Sequence, residues 1–382
     1  FFCFERRRIG FMNELFTTAV MGFLVLLASI ISVEVGISVA LIEIFLGVVA
    51  GNLGIKVLPW VSFLGTFAGV VLTFLAGAEV DIPLLRAKFK ESALIGGLSF
   101  LFPFVLTFLF AWFIAGWDLR ASEIAGIALS TTSLAVVYAV LVETGLNRTQ
   151  IGKLIMAATF ITDLATVLAL SILFVQVNAF TTVFMLVSIA LIIILPKISP
   201  WFFKRYGERV IEPEIKLMFF VLFLLMYLGD LGLSHAVLPA FILGLVLSQL
   251  YEKNKLQLQR MRVVGFALLT PFFFLKAGMN ISISVLIANL SLLAAFFVVK
   301  IAAKFVGVLP VSRRYIPESA TYTTLLMSTG LTFGTISSIY GLNAGIINKA
   351  QFSILVAVVI ASAIIPTIIA QRFFSPKIGF EE

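Results

Sequence analysis

Runs of roughly twenty apolar residues, cut by charged or Pro/Gly-bearing breaks, repeat from one end of this chain to the other. The runs cover about 13–32, 35–52, 61–78, 91–116, 121–144, 149–177, 179–200, 214–231, 234–251, 260–280, 282–309, 316–341 and 350–373. About 20 apolar residues carry a helix across the hydrocarbon core of a bilayer, where every backbone group must find its partner inside the segment. The pattern therefore predicts an all-α polytopic membrane protein with about 13 transmembrane helices, and not a barrel.

Composition agrees with this reading. The 382 residues are 61% hydrophobic and 12% charged, with a mean hydropathy of +1.14. Soluble domains carry about 25% charged residues. The net charge of +8 does not point to nucleic acid, because the basic residues are confined largely to the loops. On the N-terminal side these are Arg6, Arg7, Arg8, Lys56, Arg120 and Lys349, and the opposite side holds about three times as many. The positive-inside rule then predicts a multi-pass protein of the cell membrane with its N-terminus outside and its C-terminus in the cytoplasm. The single Cys3 excludes an internal disulfide and a thiolate cluster.

The chain also repeats itself. FLAGAEVDIPLL (74–85) echoes FLKAGMNISISVL (274–286), ALSTTSLAVV (128–137) echoes LMSTGLTFGTI (326–336), and ISVALIEIFLGVVAG (37–51) echoes LSHAVLPAFILGLVLSQ (233–249). All three offsets lie near 195–200 residues. The spacing predicts a duplicated six-helix unit: a tail over 1–12, a first repeat over 13–178, a linker helix and cytoplasmic loop over 179–213, a second repeat over 214–373, and a cytoplasmic tail over 374–382. Met12 fits a native start, with the residues before it an upstream extension. Seven spans separate equivalent helices, an odd number, so the second copy lies upside down. Inverted repeats of this kind are characteristic of secondary transporters.

Two spans carry polar clusters at half depth: Ser130, Thr131, Thr132 and Ser133 in one, Ser328 and Thr329 followed by Gly330 in the other. Ser and Thr compete for backbone bonds and Gly loosens a helix. At repeat-related positions they predict two broken, crossing helices, whose freed carbonyls and N-terminal dipoles face one midplane site. Close packing of small residues is the simpler alternative for either cluster taken alone.

Asp163 stands in the apolar run FITDLATVLALSILF, ten residues beyond Lys153, or about 15 Å into the membrane. A charge there costs about 2.5–3.5 kcal/mol on insertion scales and marks an ion or proton path by default. A hard monovalent cation wants a carboxylate, hydroxyls such as Thr131 or Thr132, carbonyls and water. The same carboxylate can hold a proton, so proton and cation compete for one oxygen pair. Lys304, Lys300 and Lys276 also lie within spans; Lys304 is the expected charge partner of Asp163, Lys300 is one turn away on the same face, and some of the three could snorkel to the cytoplasmic surface. Glu43 and Glu79 lie near or inside spans, Glu79 at a cytoplasmic helix end, and His235 falls at an outer boundary.

These segments together resemble the Kef/NapA branch of the monovalent cation:proton antiporters. FLAGAEVDIPLLR (74–86), the stretch from ALSTTSLAVV to FITD (128–163), GLSHAVLPAFILGLVLS (232–248) and PFFFLKAGM (271–279) are each similar to a motif of that family, and the likeness covers nearly the whole chain. The resemblance implies the sodium/proton exchanger fold with thirteen helices. It also implies a homodimer, meeting through helices 13–32 and 179–200, and a core domain that moves against a dimer domain. It makes Asp163 the cation- and proton-binding aspartate, holding Na+ or K+, and Lys304 the family's midspan lysine. Two departures stand out. Thr162 occupies the place of a second acid found in some members, and Ser328-Thr329-Gly330-Leu331 replaces a frequent PRGE. With Asp163 alone, one proton per cation and an electroneutral cycle is natural; if Lys304 also releases a proton, two become possible, and electrogenic exchange is the favoured of the two.

The expected function is exchange of a monovalent cation, first Na+, for H+, in a transporter that is not an enzyme and needs no cofactor. A K+/H+ antiporter or a Kef-like potassium efflux protein is the alternative. The latter normally carries a soluble nucleotide-binding domain after its last span, whereas here about nine residues follow it. An intramembrane aspartyl protease built on Asp163 and Asp230 fits badly, since Asp230 falls at a helix end.

Overall fold

The computed structural model describes residues 2–35, 39–80, 82–144, 146, 149–174, 179–207, 209–231 and 236–376, with backbone alone at 2–13, 84, 135, 139, 142 and 143. His235 and the end of the C-terminal tail lie outside the described residues.

The chain runs through α1 (Phe2–Val35), α2 (Val39–Asn52), α3 (Pro59–Ala78), α4 (Ile82–Ala87), α5 (Phe89–Leu109) and α6 (Leu119–Ser130). It continues through α7 (Leu134–Glu143), α8 (Gln150–Phe174), α9 (Ala179–Tyr206), α10 (Pro213–Leu231), α11 (Val237–Lys253) and α12 (Lys255–Val264). It closes with α13 (Thr270–Met279), α14 (Ile283–Ala288), α15 (Leu290–Tyr315), α16 (Ala320–Met327), α17 (Thr332–Asn343) and α18 (Lys349–Phe373). A π-helical turn at Phe110–Ile114 prolongs α5, and another at Gly265–Leu269 joins α12 to α13. Among the described residues, nine helical segments are long and apolar enough to cross a membrane, and α2 is a shorter apolar helix. The protein is all-helical there and multi-pass.

Local chemistry sets several helix ends. Asp118 caps α6 by accepting from the Ala121 amide at 3.0 Å, and Asn348 opens α18 in a reciprocal box with Gln351. Glu79 closes α3 and pairs with Arg262 Nε at 3.1 Å.

Two groups of helices pack around the middle. In the first, α2, α3, α11 and α13 meet along seams of glycine. A Cβ on Gly244 would collide with the Phe74 carbonyl oxygen, and one on Gly77 with that of Phe241. Gly47 and Gly278 touch the partner backbone in the same way between α2 and α13. Without a hydrophobic drive between helices in lipid, such close backbone approach is the main source of association. The second group is α5, α6, α8 and α15 with the interrupted helices and α18. Aromatic rings join the two groups: Phe160 of α8 stacks on Phe241 of α11 at 5.6 Å, and Phe241 meets Phe333 of α17 at 6.3 Å.

Candidate functional site

Helix is interrupted twice inside the second group. At the end of α6, Ser130 Oγ donates to the Ile127 carbonyl and Thr131 Oγ1 to that of Ala128, and the backbone turns extended at Thr131. At the end of α16, Ser328 Oγ donates to the Thr324 carbonyl and Thr329 Oγ1 to that of Leu326. In each case hydroxyls occupy carbonyls that the next helical turn would have used. The two breaks are bonded to each other. The Ser133 amide donates to the Thr329 carbonyl at 2.9 Å, and Thr132 Oγ1 donates to that of Met327 at 2.8 Å. Gly334 lets α17 lie against the Ala128 carbonyl, which a Cβ would approach to 2.8 Å. Two helix C-termini, of α6 and α16, and two N-termini, of α7 and α17, therefore meet at one crossing, bringing negative and positive dipole ends together.

Asp163 lies on α8 beside this crossing. Thr159, one turn earlier, donates to Met327 Sδ at 3.5 Å, at the edge of the second break. The Asp163 side chain is 2% exposed, and its Oδ1 has no hydrogen-bond partner among the described residues. Nearly all buried polar atoms are paired, so a partnerless carboxylate oxygen is a place for a proton or a cation.

The expected ion pair between Lys304 and Asp163 is not formed. All three ammonium protons of Lys304 are already taken, by Ser99 Oγ at 2.8 Å, the Ser130 carbonyl at 2.8 Å and Thr132 Oγ1 at 3.0 Å. The lysine closes the C-terminus of α6 and stays within electrostatic reach of Asp163. Lys300, also fully buried, donates to Ser362 Oγ at 2.7 Å. Lys276 belongs to the other helix group. Its stem lies on Gly65 and its Nζ reaches the Ser62 carbonyl at 3.4 Å, near the start of α3. None of the three snorkels to open solvent; the most exposed, Lys276, is 5% exposed. Thr162 turns away from the crossing: its Oγ1 donates to the carbonyls of Gly96 and Ala158 at 3.0 and 3.1 Å, tying α8 to α5.

Ser99 and Ser362, which hold the two lysines, carry no signal in the sequence beyond being lone hydroxyls in apolar helices. Glu43 is 1% exposed on α2, apart from the crossing, and its Oε2 has no hydrogen-bond partner among the described residues. Asp230 is exposed at the end of α10 and cannot meet Asp163.

Residues 21–375 match the model of the sodium/hydrogen exchanger transmembrane family. The chain belongs to this family. It is 27% identical over 348 residues to a probable Na(+)/H(+) antiporter of Methanocaldococcus jannaschii, covering 87% of this chain and 89% of that protein. It is 27% identical over 387 residues to a Na(+)/H(+) antiporter of Enterococcus hirae, covering 92% and 95%. Its fold is similar to that of the sodium proton antiporter MjNhaP1 of M. jannaschii, with a TM-score of 0.70 at 16% identity over 95% of this chain and 100% of that one.

Proposed function

We propose that this chain exchanges Na+ for H+ across the cell membrane by alternating access, with Asp163 as the shared site. The observation that carries the reading is the buried, partnerless carboxylate oxygen of Asp163 beside two interrupted helices. Backbone carbonyls at the breaks, the Thr131 hydroxyl and water would complete an oxygen shell of the kind a hard monovalent cation takes. Thr132 serves Lys304, and Thr162 anchors α8; neither is free to turn to a cation without breaking those bonds.

Exchange follows from charge. With Na+ or with H+ the carboxylate is neutralised, and with neither it is a bare anion that is costly to carry through a low-dielectric barrier. Only loaded forms cross, so inward movement of one ion is tied to outward movement of the other. Asp163 is the acidic group at the crossing among the described residues, and it carries one H+ per Na+.

The proposal extends to the frame. The two interrupted helices belong to inverted repeats at 13–178 and 214–373, joined by the segment 179–213, and the N-terminus faces outward. α1 and α9 are the least buried of the spanning helices, which supports a homodimer formed through them. The group that holds Asp163 moves against the glycine-seamed group across the Phe160–Phe241–Phe333 contact.

Proteoliposomes with an imposed pH gradient test this reading: added Na+ must dissipate the gradient. A response to K+ and none to Na+ would favour the potassium alternative.

A further inference from the structure

Two ammonium groups leave one face of α15 a turn apart, and each goes to a different break. Lys304 goes to the first, at Ser130 and Thr132. Lys300 is anchored on α18 by Ser362, whose own proton is given to the Val359 carbonyl at 2.8 Å, so that the hydroxyl oxygen faces the lysine. Its Nζ lies where the second break passes. A Cβ built on Gly330 would stand 2.5 Å from Lys300 Nζ, 3.0 Å from Thr131 Oγ1 and 3.3 Å from the Thr131 carbonyl oxygen. Gly330 thus leaves open the space in which the ammonium meets the crossing. Among the described residues Lys304 has three hydrogen bonds and Lys300 one, so Lys300 meets its neighbour by contact rather than by a set of bonds.

We propose that Lys300 is a positioning residue for the second break. Anchored on Ser362 and seated against Gly330, it sets how far that break stands from Thr131, and so sets the shape of the oxygen shell beside Asp163. Gly330 lies between the end of α16 and the start of α17, so the lysine sits where a negative and a positive dipole end meet. Among the described residues, the other charged group in reach is Lys304, one turn along. The helices α5 and α18, packed on α15, turn Ser99 and Ser362 toward its lysines and keep their charged residues near their ends, and α16 carries no charged residue. α15 is then a two-pronged clamp, one lysine to each break. The consequence for transport rests on the sodium-exchange reading, whereas the contact itself does not.

The test is a double-substitution cycle with Lys300→Met and Gly330→Ala, reading melting temperature in detergent and the sodium KM in proteoliposomes. Lys300→Met should raise the sodium KM at least threefold with the maximal rate within twofold. A lysine acting only as a repelling charge would instead lower KM when removed, and a mere space-filler would leave it unchanged; either result overturns the proposal. Gly330→Ala should lower the melting temperature in the wild-type background and cost clearly less in the Lys300→Met background, where the side chain is shorter and uncharged. Additive effects would overturn the contact. Should Gly330→Ala not fold, Ser362→Ala frees Lys300 from α18 without touching the break and must reproduce the KM rise; an unchanged KM counts against the proposal. If wild-type liposomes move no protons in response to Na+, the transport reading fails, and the melting-temperature cycle alone decides the contact.

Discussion

Lys304 Nζ donates to the carbonyl oxygen of Ser130 across 2.8 Å, so an ammonium from one helix closes the end of another. The same ammonium reaches Ser99 on α5 and Thr132 in the break, so one side chain ties α15 to two neighbouring helices. A charge buried with all three donors satisfied is a stable part of the frame, and removing it leaves acceptors with no partner.

Lys304→Met should therefore be costly in a way Lys300→Met is not. Each buried acceptor left without a donor costs about 1–3 kcal/mol, so the melting temperature of the Lys304 variant should fall well below that of the Lys300 variant. Thermal unfolding of the two purified proteins compares them directly. Equal losses would mean that the three bonds contribute little.

Thr162→Val should keep sodium-driven proton movement within about twofold, while losing about 1 kcal/mol of stability with the bonds to Gly96 and Ala158. Thr131→Val, at the crossing, should weaken sodium binding about tenfold. Sodium titrations of the two variants in liposomes separate an anchor from a ligand; the opposite ranking would place the cation on the α5 side of α8.

Gly244→Ala should disrupt the packing of α11 on α3, since its Cβ runs into the Phe74 carbonyl, which backbone cannot yield cheaply. Gly97→Ala, with nothing within 4 Å, is the matched control and should be neutral. Yield of monodisperse protein and melting temperature report both.

Exchange through Asp163 alone carries no net charge. Clamping the membrane potential with K+ and valinomycin should leave the rate of sodium-driven proton movement unchanged. A rate that follows the applied voltage would require a second proton carrier, with Lys304 and Lys300 the nearest basic groups.

Much of this was legible in the chain. Runs of hydroxyls inside apolar helices mark places where side chains outcompete the next turn for carbonyls, and the helix stops at Ser130 and at Met327 accordingly. The burial of Asp163 followed from its apolar neighbours. What could not be read was direction. Ser99 and Ser362 are ordinary hydroxyls until α15 is laid against α5 and α18. The pairing of opposite charges pointed Lys304 at Asp163, yet the ammonium donates instead to a backbone carbonyl, which every residue carries and no sequence distinguishes. Thr162 looked like a neighbour of the site by number, but one residue is about 100° around a helix, and it faces α5. Lys276, at mid-run by hydropathy, falls in the other helix group for the same reason.

The central claim is that Asp163 holds either the cation or the proton. In proteoliposomes carrying an inward-acid pH gradient, Asp163→Asn should leave the gradient untouched when Na+ is added, while the wild-type protein collapses it and both proteins melt within a few degrees of each other. Sodium-driven proton movement at the wild-type rate by the folded Asn variant would contradict the account.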